Sequence, residues 1–298
     1  MLTKTPLRYP GGKSLMASFF VDLFETNHLE HVIYAEAYAG GAGTAINLLL
    51  GDNVERIIIN DANLGIFSFW DSILRHTNRF LDIIQEIPLT LEEWKIQHNL
   101  LKYAKTPSFE LGFATFYLSR TNRSGILSAG PIGGSSHEKQ AMATYKLGCR
   151  FNREDLSNKI RKIADRKKDI IVTNKDGIKF LKDLKGKDKF VYLDPPYYVN
   201  GKSLYLDYYS EEDHCLLAKY LKSTTKFKWV LSYDNVEPIR NLYAEYEQYV
   251  FDLKYTANIK KSGAELLTYS KDLVLPIEKV IKRREMKLAL KKIHSAIE

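Results

Sequence analysis

FVYLDPPY, residues 190–197, is the stretch that decides the fold predicted for this chain. Its first four residues are an apolar run that leads into a carboxylate, which is typical of a buried parallel strand. Such a strand would deliver Asp194 to the carboxyl edge of an α/β sheet, where open sheets bind their ligands. Pro195 and Pro196 lack N–H donors and favour extended backbone, so the Pro195 carbonyl is expected to point outward without a local partner.

Asp194 and the Pro195 carbonyl would form a rigid pair of acceptors beside the ring of Tyr197. That arrangement suits an exocyclic amino group on a flat ring, because the two acceptors can hold its N–H bonds while Tyr197 stacks on the ring. Holding both protons would draw the nitrogen lone pair out of conjugation and aim it at an electrophile. An ordinary strand end followed by a Pro-Pro turn is the alternative interpretation of the same residues.

A second candidate ligand turn lies near the N-terminus, where AEAYAGGAGT (residues 35–44) follows the strand-like residues 31–34. Its glycines would let a ligand approach the backbone and the free amides of the following helix. The apolar run at 56–59 then ends in Asn60 and Asp61, where an acidic residue can hold ribose hydroxyls. The third glycine of a dinucleotide fingerprint is replaced by Ile46, so a nucleoside without phosphates fits better.

PLRYPGGKS, residues 6–14, looks like a phosphate-binding loop but does not match one. The first glycine of that motif would fall at position 7, which is Leu7, and no strand precedes the segment. Taken alone, the segment is interpreted as a turn that caps an N-terminal helix. The apolar residues of that predicted helix are Leu15, Met16, Phe19, Phe20 and Leu23.

Together these stretches resemble the Dam-like, D12-class N6-adenine DNA methyltransferases. Members of that family have L-R-Y-P-G-G-K near the N-terminus, an acidic–aromatic–x–G-G-x-G turn, N-D-x-N after the second strand and D-P-P-Y after the fourth. The match continues through residues 208–217, 231–235 and 265–267, and it covers most of the chain apart from a central segment and the tail. It implies a doubly wound, Rossmann-like α/β sheet of the S-adenosylmethionine-dependent methyltransferases, with an inserted, mostly helical DNA-recognition domain.

The resemblance also implies which residues bind S-adenosylmethionine. They are Tyr9, Lys13, Glu36, Tyr38, Gly40, Gly41, Gly43, Asp61, Asp176 and Asp194. Tyr9 and Lys13 would touch the methionine end or the adenine, and Asp61 would hold the ribose. Glu36 and the glycine turn would hold the amino-acid part, while Asp176 stands where family members bind the cofactor's adenine.

By the same resemblance, Asp194, Pro195, Pro196 and Tyr197 are the catalytic residues that would hold the target adenine. The methyl group would pass directly from the sulfonium to N6 without a covalent enzyme intermediate, so the enzyme contributes alignment and electrostatics. An adenine in a duplex hides its amino group in the base stack, and the target must therefore swing out into the pocket. This extrusion costs on the order of a few kcal/mol, which Tyr197 stacking and backbone contacts would offset.

The central segment carries the positive charge of the chain. The net charge is +8 over 298 residues, and residues 119–168 hold twelve lysines and arginines against four acids. Apolar residues at helical spacing predict helices over 64–84, 91–103 and 109–118, and strands resume only at Ile170. We therefore expect a catalytic domain of residues 1–63 and 169–275, interrupted by a basic, helical target-recognition insertion at 64–168.

Side chains suited to DNA lie in this insertion. Arginine pairs with guanine and asparagine with adenine, so the candidate DNA-binding residues are Arg120, Asn122, Arg123, Ser124 and Lys139. The basic residues of 159–168 are expected to meet phosphates, or alternatively to form a solvated helix face. Residues 125–140 are expected to be flexible without DNA. Because residues 126–131 depart from the best-known GATC readers, no recognition sequence is assigned.

The tail, residues 276–298, has seven basic and three acidic residues and a loosely apolar side, which predicts a basic C-terminal helix. Cys149 and Cys215 have neither metal-ligand nor disulfide-framework spacing, so no metal is expected. No membrane-spanning stretch or signal peptide is evident. We expect a cytoplasmic, nucleoid-associated protein of a prokaryote or phage, monomeric or weakly dimeric. Its expected partners are double-stranded DNA and a cognate restriction endonuclease acting on the same site.

Two other functions stay open on the residues alone. A methyltransferase acting on an RNA adenine or a protein amide would use the same pair of acceptors. A catalytically silent DNA-binding relative would keep the pocket as a relic, against which Lys13, Asp61, Asp194 and Tyr197 are all intact.

Overall fold

One mixed sheet forms the centre of the computed structural model, which describes residues 4–186, 188–199, 209–224, 226–252, 264–276 and 290–293. Its strands are β1 (Ile33–Glu36), β2 (Arg56–Asn60), β3 (Ile170–Thr173), β4 (Lys189–Leu193), β5 (Lys228–Asp234), β6 (Gln248–Asp252), β7 (Ala264–Tyr269) and β8 (Lys291–Lys292). Their order in the sheet is β3-β2-β1-β4-β5-β7-β6-β8. The first five are parallel, whereas β7 runs antiparallel to both of its neighbours and β8 antiparallel to β6.

The α-helices of the described residues are α1 (Met16–Thr26), α2 (Gly43–Leu49), α3 (Leu64–Arg75), α4 (Thr77–Glu86), α5 (Leu91–Tyr103), α6 (Phe109–Thr121), α7 (His137–Met142), α8 (Arg153–Ala164), α9 (Gly177–Asp183), α10 (Glu211–Ser223) and α11 (Glu237–Leu242). The run predicted as one helix over 64–84 is two helices. The break lies at His76, whose φ of −126° and ψ of 39° leave the helical region. Asn63 begins α3 by accepting hydrogen bonds from the Gly65 and Ile66 amides.

Helices cover both faces of the sheet, so the predicted doubly wound α/β fold is confirmed. Successive side chains of a strand point to opposite faces, and both sets are buried here. Phe190 and Tyr192 of β4 join a hydrophobic cluster with α1 and α2, whereas Val191 and Leu193 join a second cluster with α9, α10 and α11. Burial on both faces explains why the residues of β4 form a continuous apolar run instead of an alternating one.

The segment predicted as a recognition insertion lies in the chain between β2 and β3 and contains α3 to α8. Its hydrophobic core is continuous with that of the sheet. Phe69 of α3, Phe80 of α4 and Phe116 of α6 belong to the same cluster as Phe190 of β4. Trp70 of α3 also donates a hydrogen bond from its indole to the Gly40 carbonyl, 3.0 Å away. The insertion therefore shares its hydrophobic core with the sheet and contacts the glycine turn at the sheet edge through Trp70.

The end of the described chain is a strand. Lys291 and Lys292 form β8, which pairs with Tyr249 and Val250 of β6. The prediction of a helix over 276–298 is wrong at these two residues, and residues 277–289 and 294–298 of that prediction lie outside the described ones. Within the described residues, no helix combines the length and apolar character needed to span a membrane.

Candidate active site

Side chains from four parts of the chain meet at one edge of the sheet. Asp194 follows β4, and Ser232 lies near the end of β5. Because β7 is antiparallel to β5, its first residues lie at that same edge, where Glu265 is in register with Asp234. The N-terminal segment before α1 crosses the edge and contributes Lys13.

Lys13 is the centre of the cluster and is only 5% exposed. Its ammonium lies 3.1 Å from Asp194 Oδ2, 3.1 Å from Glu265 Oε2 and 2.9 Å from the Tyr197 hydroxyl. It also donates to the Gly11 carbonyl at 3.3 Å. Burial alone would lower the pKa of Lys13, but the two carboxylates reverse this and hold it well above its ordinary value. Lys13 is therefore a cation at every physiological pH.

Asp194 has both carboxylate oxygens engaged. Oδ2 accepts from Lys13, and Oδ1 accepts a 2.8 Å hydrogen bond from the Ser232 hydroxyl, which in turn lies 2.7 Å from the Tyr192 hydroxyl. Burial, assisted by the nearby charge of Glu265, raises the pKa of Asp194 to about 6, although Lys13 and Ser232 oppose the rise. At pH 7 the carboxylate is ionised and able to accept N–H donors.

The chain after Asp194 is fixed by a second carboxylate. Asp234, the last residue of β5, accepts hydrogen bonds from the Tyr198 amide at 2.9 Å and the Val199 amide at 3.0 Å. Tyr197 is half-buried between them and the cluster. Its hydroxyl donates to Glu265 Oε1 at 2.7 Å. The prolines and these hydrogen bonds together hold residues 194–199 in one conformation.

The glycine turn after β1 packs against the N-terminal segment. Gly40 has a left-handed φ of +46°, and a Cβ built there would lie 2.6 Å from the Tyr9 ring. A Cβ on Gly43 would lie 3.0 Å from Ser14 Cβ. Only glycine at position 40 lets the Tyr9 ring lie on this turn, so the two predicted cofactor segments are in contact.

Asp61 ties this turn to β2. Its Oδ2 accepts from the Gly40 amide at 2.7 Å and its Oδ1 from the Asn63 amide at 2.9 Å. The side chain is half-buried. Asp61 therefore lies at the glycine turn, where a ribose-binding residue is expected, and binding of a ribose there stays a prediction.

Glu36 faces the protein interior and is 4% exposed. Its Oε1 accepts from the Tyr34 hydroxyl at 3.0 Å and from the Ala45 amide of α2 at 2.9 Å. Burial raises its pKa to about 8. In this arrangement Glu36 fixes the first turn of α2, and its predicted contact with the cofactor is not tested.

Aromatic rings line the neighbouring part of the edge. The Tyr38 and Tyr209 hydroxyls are 2.6 Å apart, and the ring of Tyr209 lies edge-on to His214 with centroids 5.5 Å apart. Gly177 leaves room for Tyr38, since a Cβ there would lie 2.4 Å from its ring. Asp176 is exposed beside them and caps α9 by accepting from the Lys179 amide at 2.9 Å. Tyr38 and Asp176, predicted from distant parts of the sequence, are thus brought together.

Two of the residues predicted to read DNA form hydrogen bonds within the protein. Asn122 is 0% exposed; its amide donates to the Ile126 and Leu127 carbonyls, and its oxygen accepts from the Trp94 indole. Arg120 donates from both Nε and Nη2 to the Pro6 carbonyl, and burial lowers its pKa to about 10. The assignment of Asn122 to a base edge is corrected, because its side chain is fully buried and its donors are used within the protein, whereas a DNA contact of the half-buried Arg120 stays a prediction.

Arg123, Ser124 and Lys139 are exposed, as a DNA contact requires. Arg123 and Ser124 lie in residues 121–132, which form a short antiparallel hairpin, and Lys139 lies in the following helix α7. The Arg123 amide donates to the Gly130 carbonyl at 3.1 Å, and the Ile132 amide donates to the Thr121 carbonyl at 2.8 Å. The Gln140 side chain fastens the tip by donating to the Ile132 and Gly134 carbonyls. The expectation of a flexible loop is therefore replaced by a hydrogen-bonded one.

The basic run at 159–168 is partly neutralised by neighbouring acids. Lys159 pairs with Asp155 at 2.8 Å, and Arg166 pairs with Asp52 at 2.6 Å and Asp169 at 2.7 Å. These ion pairs favour the alternative of a solvated helix face for those two residues.

Glu265, Ser232 and Asp234 were not among the residues predicted for the site. All three lie in segments that carried the family resemblance, at 231–235 and 265–267. The signal that could have identified them is a polar side chain inside or at the end of an apolar strand, because Ser232 is 0% and Glu265 2% exposed.

Two known proteins that this chain is similar to are methyltransferases by name. The model of a family described as D12 class N6 adenine-specific DNA methyltransferase matches residues 9–257. The Type II methyltransferase M.CviBI of Paramecium bursaria Chlorella virus NC1A is 23% identical over 256 residues, which cover 85% of this chain and 91% of that protein. A solved structure, the rRNA methyltransferase aviRa from Streptomyces viridochromogenes, has 11% identity and a TM-score of 0.38 over 89% of this chain and 87% of that one. This structural likeness is too low to carry a conclusion about fold or substrate.

Proposed function

The chain belongs to the D12 class N6 adenine-specific DNA methyltransferase family, and on that premise we propose which group it modifies and how. We propose that it transfers the methyl group of S-adenosylmethionine to the N6 amino group of an adenine turned out of duplex DNA. Double-stranded DNA is the proposed partner, because a base inside a duplex exposes its amino group only after extrusion. Arg123 and Ser124, exposed on the hairpin, and Lys139, exposed on α7, are the proposed DNA contacts.

The observation that carries the proposal is the N–H donor already bound to Asp194. The Lys13 ammonium lies 3.1 Å from Asp194 Oδ2 and 2.9 Å from the Tyr197 hydroxyl, beside a half-buried aromatic ring. An amino group of adenine presents the same kind of donor to the same acceptor. The corner after β4 therefore holds a nitrogen with its hydrogens directed at a carboxylate, beside the ring of Tyr197.

The residues around this corner fit the proposed cofactor in charge. Asp194 and Glu265 place two carboxylates at this corner, on either side of Lys13, and carboxylates favour a cationic ligand. S-adenosylmethionine would supply an activated methyl group on a sulfonium cation. Tyr9 on the glycine turn, together with Asp61, Tyr38 and Asp176, would hold the rest of it along the same edge.

In the proposed reaction, the residues of this corner align the adenine amino group and polarise its N–H bonds. Asp194, ionised at pH 7, accepts an N–H of the adenine and keeps the nitrogen lone pair directed away from the ring. It need not be a strong base, because the nitrogen that has gained the methyl group is far more acidic than the amino group. Asp234 keeps Tyr197 in position by holding the two amides that follow it.

The proposal is tested by transfer of a labelled methyl group to duplex DNA, to RNA and to protein. We expect label in duplex DNA, on adenine N6, and none in the other two substrates. Asp194→Ala should abolish transfer while leaving the circular dichroism spectrum and the unfolding midpoint close to those of the wild type. Asp188→Ala is the matched control, since Asp188 is exposed and precedes the other end of the same strand.

Label found in RNA or protein but not in DNA would overturn the proposed substrate. Near-normal turnover by Asp194→Ala would overturn the proposed chemistry. A chain that binds S-adenosylmethionine and transfers nothing to any DNA would instead identify a catalytically silent relative.

A further inference from the structure

We infer that Glu265 is a positioning residue of this site, which retains Lys13 and Tyr197 when Asp194 exchanges the Lys13 ammonium for the amino group of the substrate. The inference rests on the proposed function. It assigns a role to a carboxylate of β7 that is remote in sequence from Asp194.

Glu265 is placed to bind both partners at once. It is 2% exposed, and β5–β7 pairing sets it opposite Asp234. One oxygen, Oε1, accepts from the Tyr197 hydroxyl at 2.7 Å, and the other, Oε2, lies 3.1 Å from the Lys13 ammonium. The Tyr197 hydroxyl in turn accepts from Lys13 at 2.9 Å, so the three groups form a closed triangle.

Each carboxylate oxygen of Asp194 has two lone pairs and already accepts from one donor, so a substrate N–H either shares an oxygen with that donor or takes its place. The Ser232 hydroxyl is an unsuitable donor to displace, since it is 0% exposed and backed by the Tyr192 hydroxyl at 2.7 Å. Lys13 is the donor that can move. It has three further acceptors within 3.3 Å, namely Glu265, Tyr197 and the Gly11 carbonyl.

The charge on Glu265 lowers the free-energy cost of moving the buried Lys13 ammonium away from Asp194. An ammonium that leaves its only carboxylate becomes an unpaired buried charge, which is strongly unfavourable. With Glu265 Oε2 3.1 Å away on its other side, Lys13 keeps a carboxylate partner after it leaves Asp194. Glutamine at position 265 would preserve the shape and the hydrogen-bond acceptor but would remove that counter-charge.

The same substitution should change the acidity of Asp194. The charged and titratable groups facing Asp194 are Lys13, Glu265, Tyr192, Tyr34, Glu36, Tyr197 and Tyr233. Burial is the main cause of the raised pKa of Asp194, and the Glu265 charge raises it further. Removing that charge lowers the pKa of Asp194 directly. It also leaves Lys13 more firmly on Asp194, which acts in the same direction.

The test compares Glu265→Gln with the wild type in steady-state methylation of duplex DNA across pH 5 to 9. We expect kcat to fall about 10²-fold, as for misplacement of a catalytic group by roughly an ångström, with little change in the KM for DNA. The acidic limb of kcat/KM, set in the wild type by the Asp194 pKa of about 6, should move to lower pH. A role of Glu265 that does not depend on its charge would leave that limb unmoved.

Glu247→Gln is the matched control. Glu247, just before β6, accepts from the Tyr269 and Tyr249 hydroxyls at 2.6 and 3.1 Å and from Lys292 at 2.8 Å, so it has the same kinds of partner in an exposed setting. Its substitution should leave kcat and the pH profile unchanged.

Tyr197→Phe is the second variant and keeps the test decisive if Glu265→Gln does not fold. It removes the hydroxyl of the triangle, and a fall in kcat with an altered acidic limb is expected again. Unchanged kcat and pH profile in Glu265→Gln, or in Tyr197→Phe where only that variant folds, would overturn the inference while DNA methylation by the wild type stands. Absence of transfer to DNA by the wild type would overturn the proposed function instead.

Discussion

Glu36, the last residue of β1, should make the stability of the folded protein depend on pH. Replacing it with glutamine should remove that dependence. Glu36 is 4% exposed, and burial raises its pKa from 4.5 to about 8. The Tyr34 hydroxyl and the Ala45 amide both donate to Oε1, which leaves Oε2 to carry the proton. The folded protein therefore holds a proton on Glu36 at pH 7 that the unfolded chain has lost.

The magnitude follows from these two pKa values. Between pH 4.5 and about 8 only the folded state is protonated at Glu36, so stability falls as the pH rises. The slope is about 1.4 kcal/mol per pH unit, and the full window amounts to on the order of 4 to 5 kcal/mol as an upper bound. The stabilisation is fully present below pH 4.5 and is lost as the pH passes through about 8.

Urea unfolding of the wild type and of Glu36→Gln, at intervals from pH 5 to 8.5, measures this difference. Glutamine is neutral throughout and keeps an oxygen for Tyr34 and Ala45. The two proteins should have similar free energies of unfolding at pH 5, and the variant should be increasingly more stable than the wild type toward pH 8.5. Asp194 titrates in both proteins, and only its charge interaction with Glu36, the smallest cause of the raised Glu36 pKa, differs between them. Two curves that run parallel across the range would refute a protonated Glu36.

Two further substitutions test the supports of the site. Asp234→Ala removes the acceptor of two amide hydrogen bonds, each worth about 1.5 to 3 kcal/mol, and should lower kcat/KM for DNA at least about tenfold; unchanged steady-state kinetics would contradict this. Arg120→Ala frees the Pro6 carbonyl and should weaken S-adenosylmethionine binding in calorimetry without altering the methylated sequence. Arg153→Ala is the control, because it removes a similar guanidinium–carbonyl contact at Ile87 and should affect stability alone. A changed sequence preference in Arg120→Ala would contradict this expectation and support a role of Arg120 in base reading.

The buried strands β2 and β4 and the position of Asp194 could be predicted because their signals are local. An apolar run that ends in a polar residue predicts a buried strand, and it predicts that the polar residue lies at the carboxyl edge of the sheet. This holds for β2 with Asp61 and for β4 with Asp194. The glycine turn was likewise predictable, since Gly40 is required at a left-handed φ of +46° against the Tyr9 ring.

Glu265 could not be derived in this way. It enters the site because β7 is antiparallel and lies between β5 and β6, and neither property is written in the residues of β7 itself. Lys13 and Glu265 meet across nearly the whole chain. The sequence pattern of β7 predicts a strand but not its neighbours.

Arg120 and Asn122 were assigned to DNA from their residue types. Their actual partners are decided by Pro6 and Trp94, which lie far away in the sequence. Composition indicates that the segment is basic, but it does not indicate which arginine at the end of a helix faces inward. Arg123, one residue beyond Asn122, is exposed and stays a proposed DNA contact.

The strand order also governs how this protein can assemble during translation. Among the described strands, β6 leaves the ribosome before β7 but pairs only with β7 and β8, which are both synthesised later. A nascent chain that ends at residue 252 thus has β6 without a neighbour and Lys13 without Glu265. Insertion of β7 joins β6 to the growing sheet and brings Glu265 to Lys13 in one step, so within the described residues the strand that connects β6 to the sheet also completes the cluster around Lys13.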